Sequence, residues 1–242
     1  DASKQMDEVK NLNVFIKELD EKVEGLETII HEKLLGIPNL PDENIPDGID
    51  ESNNKFIREW GSKPKLTEKP LNHVELGKKL RLIDLKRAAK ISGARFAVYR
   101  GMGAALLRGL INFMVDVQTK ENGYEELYPP FLVNRDSLLG TGQLPKFEEE
   151  LFAMRDDPLY LIPTAEVPVT NFHRDEILEE ESLPICYTAY TPCFRREAGS
   201  YGKDTQGLIR QHQFDKVELV KFSKADESKQ ELEKLVQNAE SI

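Results

Sequence analysis

Phe194-Arg-Arg-Glu197, the polar loop Ala198-Gly-Ser-Tyr-Gly-Lys-Asp-Thr-Gln206 and Arg210-Gln-His-Gln-Phe214 follow one another in the second half of the chain. Extended runs flank the loop, Ile185 to Glu197 before it and Leu208 to Phe222 after it, and together they predict an antiparallel hairpin. Side chains alternate along a strand, so Arg195 and Glu197 share a face, as do Arg210, Phe214 and Glu218. If the two faces coincide, one sheet surface carries two guanidinium groups, two carboxylates and a ring. Such a surface suits a nucleotide, because arginine forks match phosphate oxygens and a ring offers a base a stacking platform. It also suits a plainer role, a cross-strand ladder of ion pairs beside one exposed Phe.

Working outward, Leu159 to Ile162 predicts a short strand. Tyr124 to Val133 is extended too, and Pro129-Pro130 confines it to an edge or an interface. Leu106, Leu107, Leu110, Ile111, Phe113, Met114 and Val117 form a broad helical apolar face that ends at Gly123. Before it, Arg95 to Tyr99 is extended, and one helix is expected from an Asn72 cap, with Glu75 three residues on, to Ser92 and Gly93. Residues 36–60 are a linker with Pro38, Pro41, Pro46, Gly48 and an acidic run. In residues 1–35, Val9, Leu12, Ile16, Leu19, Val23, Leu26 and Ile30 alternate spacings of three and four, a heptad seam that needs a partner helix. An amphipathic helix is expected from about Lys224 to Ile242. The expected organisation is a helical arm (1–35), a linker (36–60) and an α+β body (61–242) with an antiparallel sheet flanked by helices.

Bulk properties narrow the function. The chain has 242 residues, 39% hydrophobic and 31% charged, enough for one sizeable core and an appendage. No run approaches the roughly 20 apolar residues of a membrane span, and no signal-peptide pattern is visible, so a cytosolic, non-membrane protein is expected. A net charge of −10 argues against a nucleic-acid binder built on a broad basic surface, though not against a local basic contact. Cys186 and Cys193 lack zinc-ligand spacing and are expected to be reduced strand residues. The chain opens on Asp1 rather than Met, which points to a missing N-terminus.

The arginine-bearing hairpin resembles the second signature motif of class II aminoacyl-tRNA synthetases. Thr141-Gly-Gln-Leu-Pro-Lys-Phe147, Pro163-Thr-Ala-Glu166 and Phe214-Asp-Lys-Val-Glu218 look like seryl-tRNA synthetase of the common bacterial and eukaryotic kind. Gly123-Tyr-Glu-Glu-Leu-Tyr-Pro-Pro130 is similar to its first motif, a dimer-interface element, and the heptad segment to the end of its tRNA-binding arm. The resemblance implies a cytosolic homodimer that joins L-serine to tRNA(Ser) at the expense of ATP. It implies that Arg195 bridges the α-phosphate and the serine carboxylate as the catalytic residue. Arg196, Glu197, Arg210, Gln211 and Phe214 complete the ATP site. Thr164, Ala165, Glu166 and Glu218 line the serine pocket, and Lys203 meets the tRNA acceptor end. ATP with Mg2+ is implied and zinc is not, since the zinc-bearing archaeal type lacks these segments. His212 is expected to be a hydrogen-bonded strand residue rather than a base.

The chain departs from the family pattern in two respects. The third motif, with a further arginine and the metal-binding carboxylates, is absent, as is the first arm helix. A fragment truncated at both ends, inactive or weakly active, is therefore expected. The rivals are a non-catalytic paralogue serving as a tRNA or protein interaction module, and a homologue that loads carrier proteins. The complete arginine, glutamate and phenylalanine set argues against the first and the arm remnant against the second.

Overall fold

The computed structural model describes residues 2–66, 69–198 and 207–242. Two compact units divide the chain, residues 1–65 and 66–242.

The first unit is dominated by helix α1, Ala2–Leu35. Its seam residues remain exposed, from Leu19 at 43% to Leu26 at 59%. After Gly36 the linker carries only a short 3-10 turn, Glu51–Asn53, started by the Asp50 carboxylate accepting from Ser52 N.

In the second unit Asn72 forms the expected capping box with Glu75. The single helix expected from there to Ser92 is instead two, α2 (His73–Lys79) and α3 (Leu85–Ser92). Asp84 is the reason: its carboxylate caps Arg87 N at 2.9 Å and starts a new helix after a turn at Arg81, whose φ is 58°. The extended run Arg95 to Tyr99 forms only an isolated bridge, Ile83 to Tyr99. Helix α4 (Met102–Lys120) follows. Gly103 lets α4 approach Leu82, since a Cβ there would stand 2.3 Å from the Leu82 carbonyl oxygen. Of the expected apolar face of α4 only one side is covered. Val115, Val117 and Gln118 are buried, while Met102, Leu106, Leu110 and Phe113 form an exposed stripe.

Strand β1 (Glu125–Glu126) pairs in parallel with β4 (Ile185–Phe194), which pairs antiparallel with β5 (Gln213–Phe222). Strand β2 (Leu132–Asn134) pairs antiparallel with β3 (Leu159–Leu161), and the two flank helix α5 (Arg135–Gly140) in sequence. Helix α6 (Glu166–Thr170) packs on one face of the main sheet, and α4 and α7 (Ser228–Glu240) pack on the other. Both long strands are shorter than expected at the loop end, because Arg195 to Glu197 and Leu208 to His212 leave the ladder to build the cleft described below.

Two apolar clusters hold the unit together. One joins Val133, Leu138, Leu144, Leu151, Ile162 and Val167; the other joins Ala165, Val169, Tyr187 and Ala189. Helix α6 contributes Val167 to the first and Val169 to the second, so it is pinned between them. Each fully buried Val or Leu contributes about 1.5–3 kcal/mol. The residues at the start of α6 are thereby fixed in place, and Thr164 and Glu166 are among them.

Candidate functional site

The register of β4 and β5 pairs Cys193 with Phe214, Thr191 with Lys216 and Ala189 with Glu218. The parity of the two strands therefore coincides. Ala189, Thr191 and Cys193 are small and fully buried, and Phe214, Lys216 and Glu218 stand beside them on the same face. Arg195 continues the β4 side, tied to the return strand by its N donating to His212 O at 3.0 Å. Its guanidinium lies 5.2 Å from the centroid of the Phe214 ring, a cation–π distance, and its Nε donates to Pro163 O at 3.2 Å.

Glu197 occupies the left-handed region with φ 50°, unusual for a non-glycine residue. Its surroundings hold it there. Arg95 donates to its carbonyl at 3.0 Å and Arg210 Nη1 meets its Oε2 at 3.2 Å. Glu150 clamps the neighbouring backbone, accepting from Arg196 N at its carbonyl (2.8 Å) and from Ala198 N at Oε2 (3.1 Å). Such local strain is typical of functional sites.

Two adjoining cavities open here. One, of about 400 Å³, is lined by Leu208, Ile209, Gln211 and Phe214 together with Arg195, Glu197 and Arg210. The other, of about 510 Å³, takes in Gln143, Phe147, Thr164, Glu166 and Lys216. Arg195, Glu197 and Arg210 line both, so the two are lobes of one cleft. On the wall of the second lobe Thr164 and Lys216 hold Glu218 behind them: Thr164 Oγ1 donates to Glu218 Oε2 at 2.6 Å, and Lys216 Nζ stands 2.6 Å from the same oxygen. Desolvation and the neighbouring Glu218 push the Glu166 carboxyl up, against the pull of Lys216 and Arg195. In the first lobe Gln211 donates from Nε2 to Leu208 O, and its buried Oε1 has no hydrogen-bond partner among the described residues.

The sequence-derived residues are thus mostly brought together. Two side chains turn elsewhere. Ala165 packs in the core beside Val169 and Ala189, and the Arg196 guanidinium lies 5.8 Å from the Phe152 ring. A strand's alternation explains Arg196: next to Arg195, it faces the other way. Lys203 and the rest of 199–206 lie outside the described residues. His212 is hydrogen-bonded but lies just before β5 rather than in it, its Nδ1 3.0 Å from Arg195 O and its ring against Phe96 and Phe152. Lys216, outside the sequence-derived set, does carry a sequence signal: it stands between Phe214 and Glu218 at the two-residue spacing that marks a shared face. Glu150 and Arg95 carry no sequence signal, since their roles depend on contacts 48 and 102 residues away.

A hairpin bearing arginine, glutamate and phenylalanine on an α+β scaffold defines a class II aminoacyl-tRNA synthetase core. Residues 146–242 match the family described as tRNA synthetase class II core domain (G, H, P, S and T). The serine–tRNA ligase of Syntrophotalea carbinolica is 55% identical over 234 residues, covering 97% of this chain and 55% of that protein. That of Syntrophobacter fumaroxidans is 59% identical over 227 residues, covering 94% and 54%. The crystal structure of seryl-tRNA synthetase from Pyrococcus horikoshii complexed with ATP superposes with a TM-score of 0.89 at 38% identity, covering 93% of this chain and 55% of that one. The cytoplasmic serine–tRNA ligase from Naegleria fowleri in complex with AMP gives 0.84 at 31% identity, covering 93% and 54%. Over nearly its whole length the chain is similar to serine–tRNA ligases, and it spans about half the length of the relatives it matches.

Proposed function

We propose that the cleft binds ATP and L-serine and forms seryl-adenylate, which the whole protein passes to tRNA(Ser). The observation that carries this is the shared wall: Arg195 borders both the lobe with the ring and the lobe with the carboxylates. The aromatic lobe takes the nucleotide. Phe214 stacks on the adenine, Glu197 accepts from its exocyclic amine, and Arg210 reaches the outer phosphates. The unpartnered Gln211 Oε1 fits a polar ligand in this lobe. Arg196, over Phe152, braces the turn. The second lobe takes serine against Thr164, Glu166 and Glu218, with Ala165 fixing their backbone.

The serine carboxylate is already a nucleophile at neutral pH. Its oxygen bonds to the α-phosphorus as the bond to the bridging oxygen of pyrophosphate breaks. The step needs alignment and compensation of the charge building on phosphorus, and an arginine touching both reactants supplies them. The ribose hydroxyl of tRNA then attacks the adenylate carbonyl and AMP leaves. Lys203 is the proposed contact for the acceptor end, and residues 1–35 for the body of the tRNA. Among the described residues no three His, Cys, Asp or Glu side chains converge as a metal site. Zinc has no part in this reading: Cys186 and Cys193, seven apart on β4, point to opposite faces. The exposed stripe Met102, Leu106, Leu110 and Phe113 supports a homodimer through α4. No described helix is long and apolar enough to cross a membrane, and the cytosol is the proposed compartment.

The test is pyrophosphate exchange by the full-length protein. Exchange into ATP is expected only with serine; equal exchange with alanine or threonine would sink the assignment.

A further inference from the structure

The serine lobe contains a cation that its proposed chemistry has not yet used. Lys216 lies on β5 between Phe214 and Glu218, across from the small, buried Thr191, so its stem can lie over the sheet. Its ammonium meets two acceptors at once, Thr164 Oγ1 at 2.7 Å and Glu218 Oε2 at 2.6 Å. Thr164 closes the triangle by donating its single proton to the same Glu218 oxygen at 2.6 Å. Its own oxygen accepts from Lys216 and, at 3.2 Å, from Glu166 N. Thr164 is almost wholly buried, and the Lys216 and Glu218 side chains are only 31% and 22% exposed. These contacts are charge-assisted and only modestly screened.

We infer that Lys216 is a positioning residue that makes Glu218 a reader of the side-chain hydroxyl rather than a partner for the amino group. The inference rests on the proposed serine reading of this lobe. An amino acid enters with an ammonium and a carboxylate, and Arg195 is placed for the carboxylate. Two carboxylates compete for the ammonium: Glu166 lines the lobe, and Glu218 stands directly behind Thr164 and Lys216, which line it. Glu218 already has an ammonium in contact, so its electrostatic demand is met and its remaining acceptor capacity suits a neutral O–H. Glu166 opens α6 and faces the cleft without a comparable contact in that triangle. Its anion is disfavoured by desolvation and by Glu218, so an incoming ammonium relieves it. Lys216 thereby divides the work: ammonium to Glu166, hydroxyl to Glu218. Without it Glu218 competes for the ammonium, the fixed partner for the hydroxyl is lost, and serine and alanine come to bind alike.

The experiment is serine- and alanine-dependent pyrophosphate exchange in the full-length protein for Lys216→Met, Lys216→Gln and Lys216→Arg, with thermal unfolding of each. The neutral variants should raise KM for serine about tenfold or more, the scale of one charge-assisted hydrogen bond, with KM for ATP unchanged. Their preference for serine over alanine in kcat/KM should fall by about the same factor. The acid limb of kcat/KM for serine should move to higher pH, because the Glu166 carboxyl has lost a cation that pulls it down. Lys216→Arg should keep the preference to within a few-fold. An unchanged preference in a folded neutral variant overturns the role, as does an equal loss for both amino acids. Should neither neutral variant fold, Lys216→Arg decides: a retained preference supports the role and a collapsed one refutes it. Wild-type exchange that ignores serine would overturn the proposed function instead, whatever the variants do.

Discussion

Helix α1 and the β4–β5 hairpin are both patterned by regular apolar spacing, yet they use it differently. From Lys4 onward every residue of α1 but Leu35 is exposed, its seam included. In the hairpin every residue from Ile185 to Phe194 is at least partly covered, with Ala189, Thr191 and Cys193 fully buried. A heptad specifies a helix and a stripe but leaves the partner open. A hairpin brings its own partner, because each strand satisfies the other's backbone groups. Chemistry that needs fixed distances therefore sits on the hairpin. The arm is suited to a contact completed by another helix or another molecule.

That contrast can be broken most forcefully at Arg195. Arg195→Ala in the full-length protein should lower kcat for pyrophosphate exchange by about 10²–10³, the usual cost of losing one preorganised charge donor. Lys should not rescue it, because a point charge cannot fork between phosphate and carboxylate. The melting curve should barely move. A Lys variant within a few-fold of wild type would leave the bridging role without support.

A matched pair of truncations sharpens the comparison. Leu138→Ala, at a fully buried position beside Ile162 and Val167, should cost about 2–5 kcal/mol in denaturant unfolding of this chain. Leu19→Ala, on the α1 seam, should stay within about 0.5 kcal/mol. Equal costs would show that the seam is packed after all.

The smallest effect concerns the far face of the sheet. Glu231 on α7 is buried and meets Lys221 at 2.9 Å and Lys234 at 2.5 Å. Hydrogen bonds from Lys234 and then Lys221 hold its carboxyl below the ordinary value of 4.5. A depressed carboxylate adds stability above its unfolded value and loses it as pH falls through its folded value. Glu231→Gln should destabilise by about 1–3 kcal/mol at pH 7, and the gap to wild type should close as unfolding is followed from pH 4.5 downward. A gap that does not narrow on acidification would mean that packing, not charge, ties α7 to β5.

The sequence by itself determined the hairpin, the capping box at Asn72, the heptad helix and the family resemblance. Each rests on local spacing or on a contiguous string, and short-range order is written where it acts. Tertiary structure alone decided the split at Asp84, where a cap overrode a continuous helical pattern. It alone turned Ala165 into the core, because α6 is pinned between two clusters. It brought Glu150 and Arg95 to the Glu197 turn from distant parts of the chain. It also set Lys216 on Thr164 and Glu218, a contact that alternation permits but that only packing beside the buried Thr191 and Thr164 makes. Periodicity says which way a side chain faces; what it meets there depends on residues brought in by long-range packing.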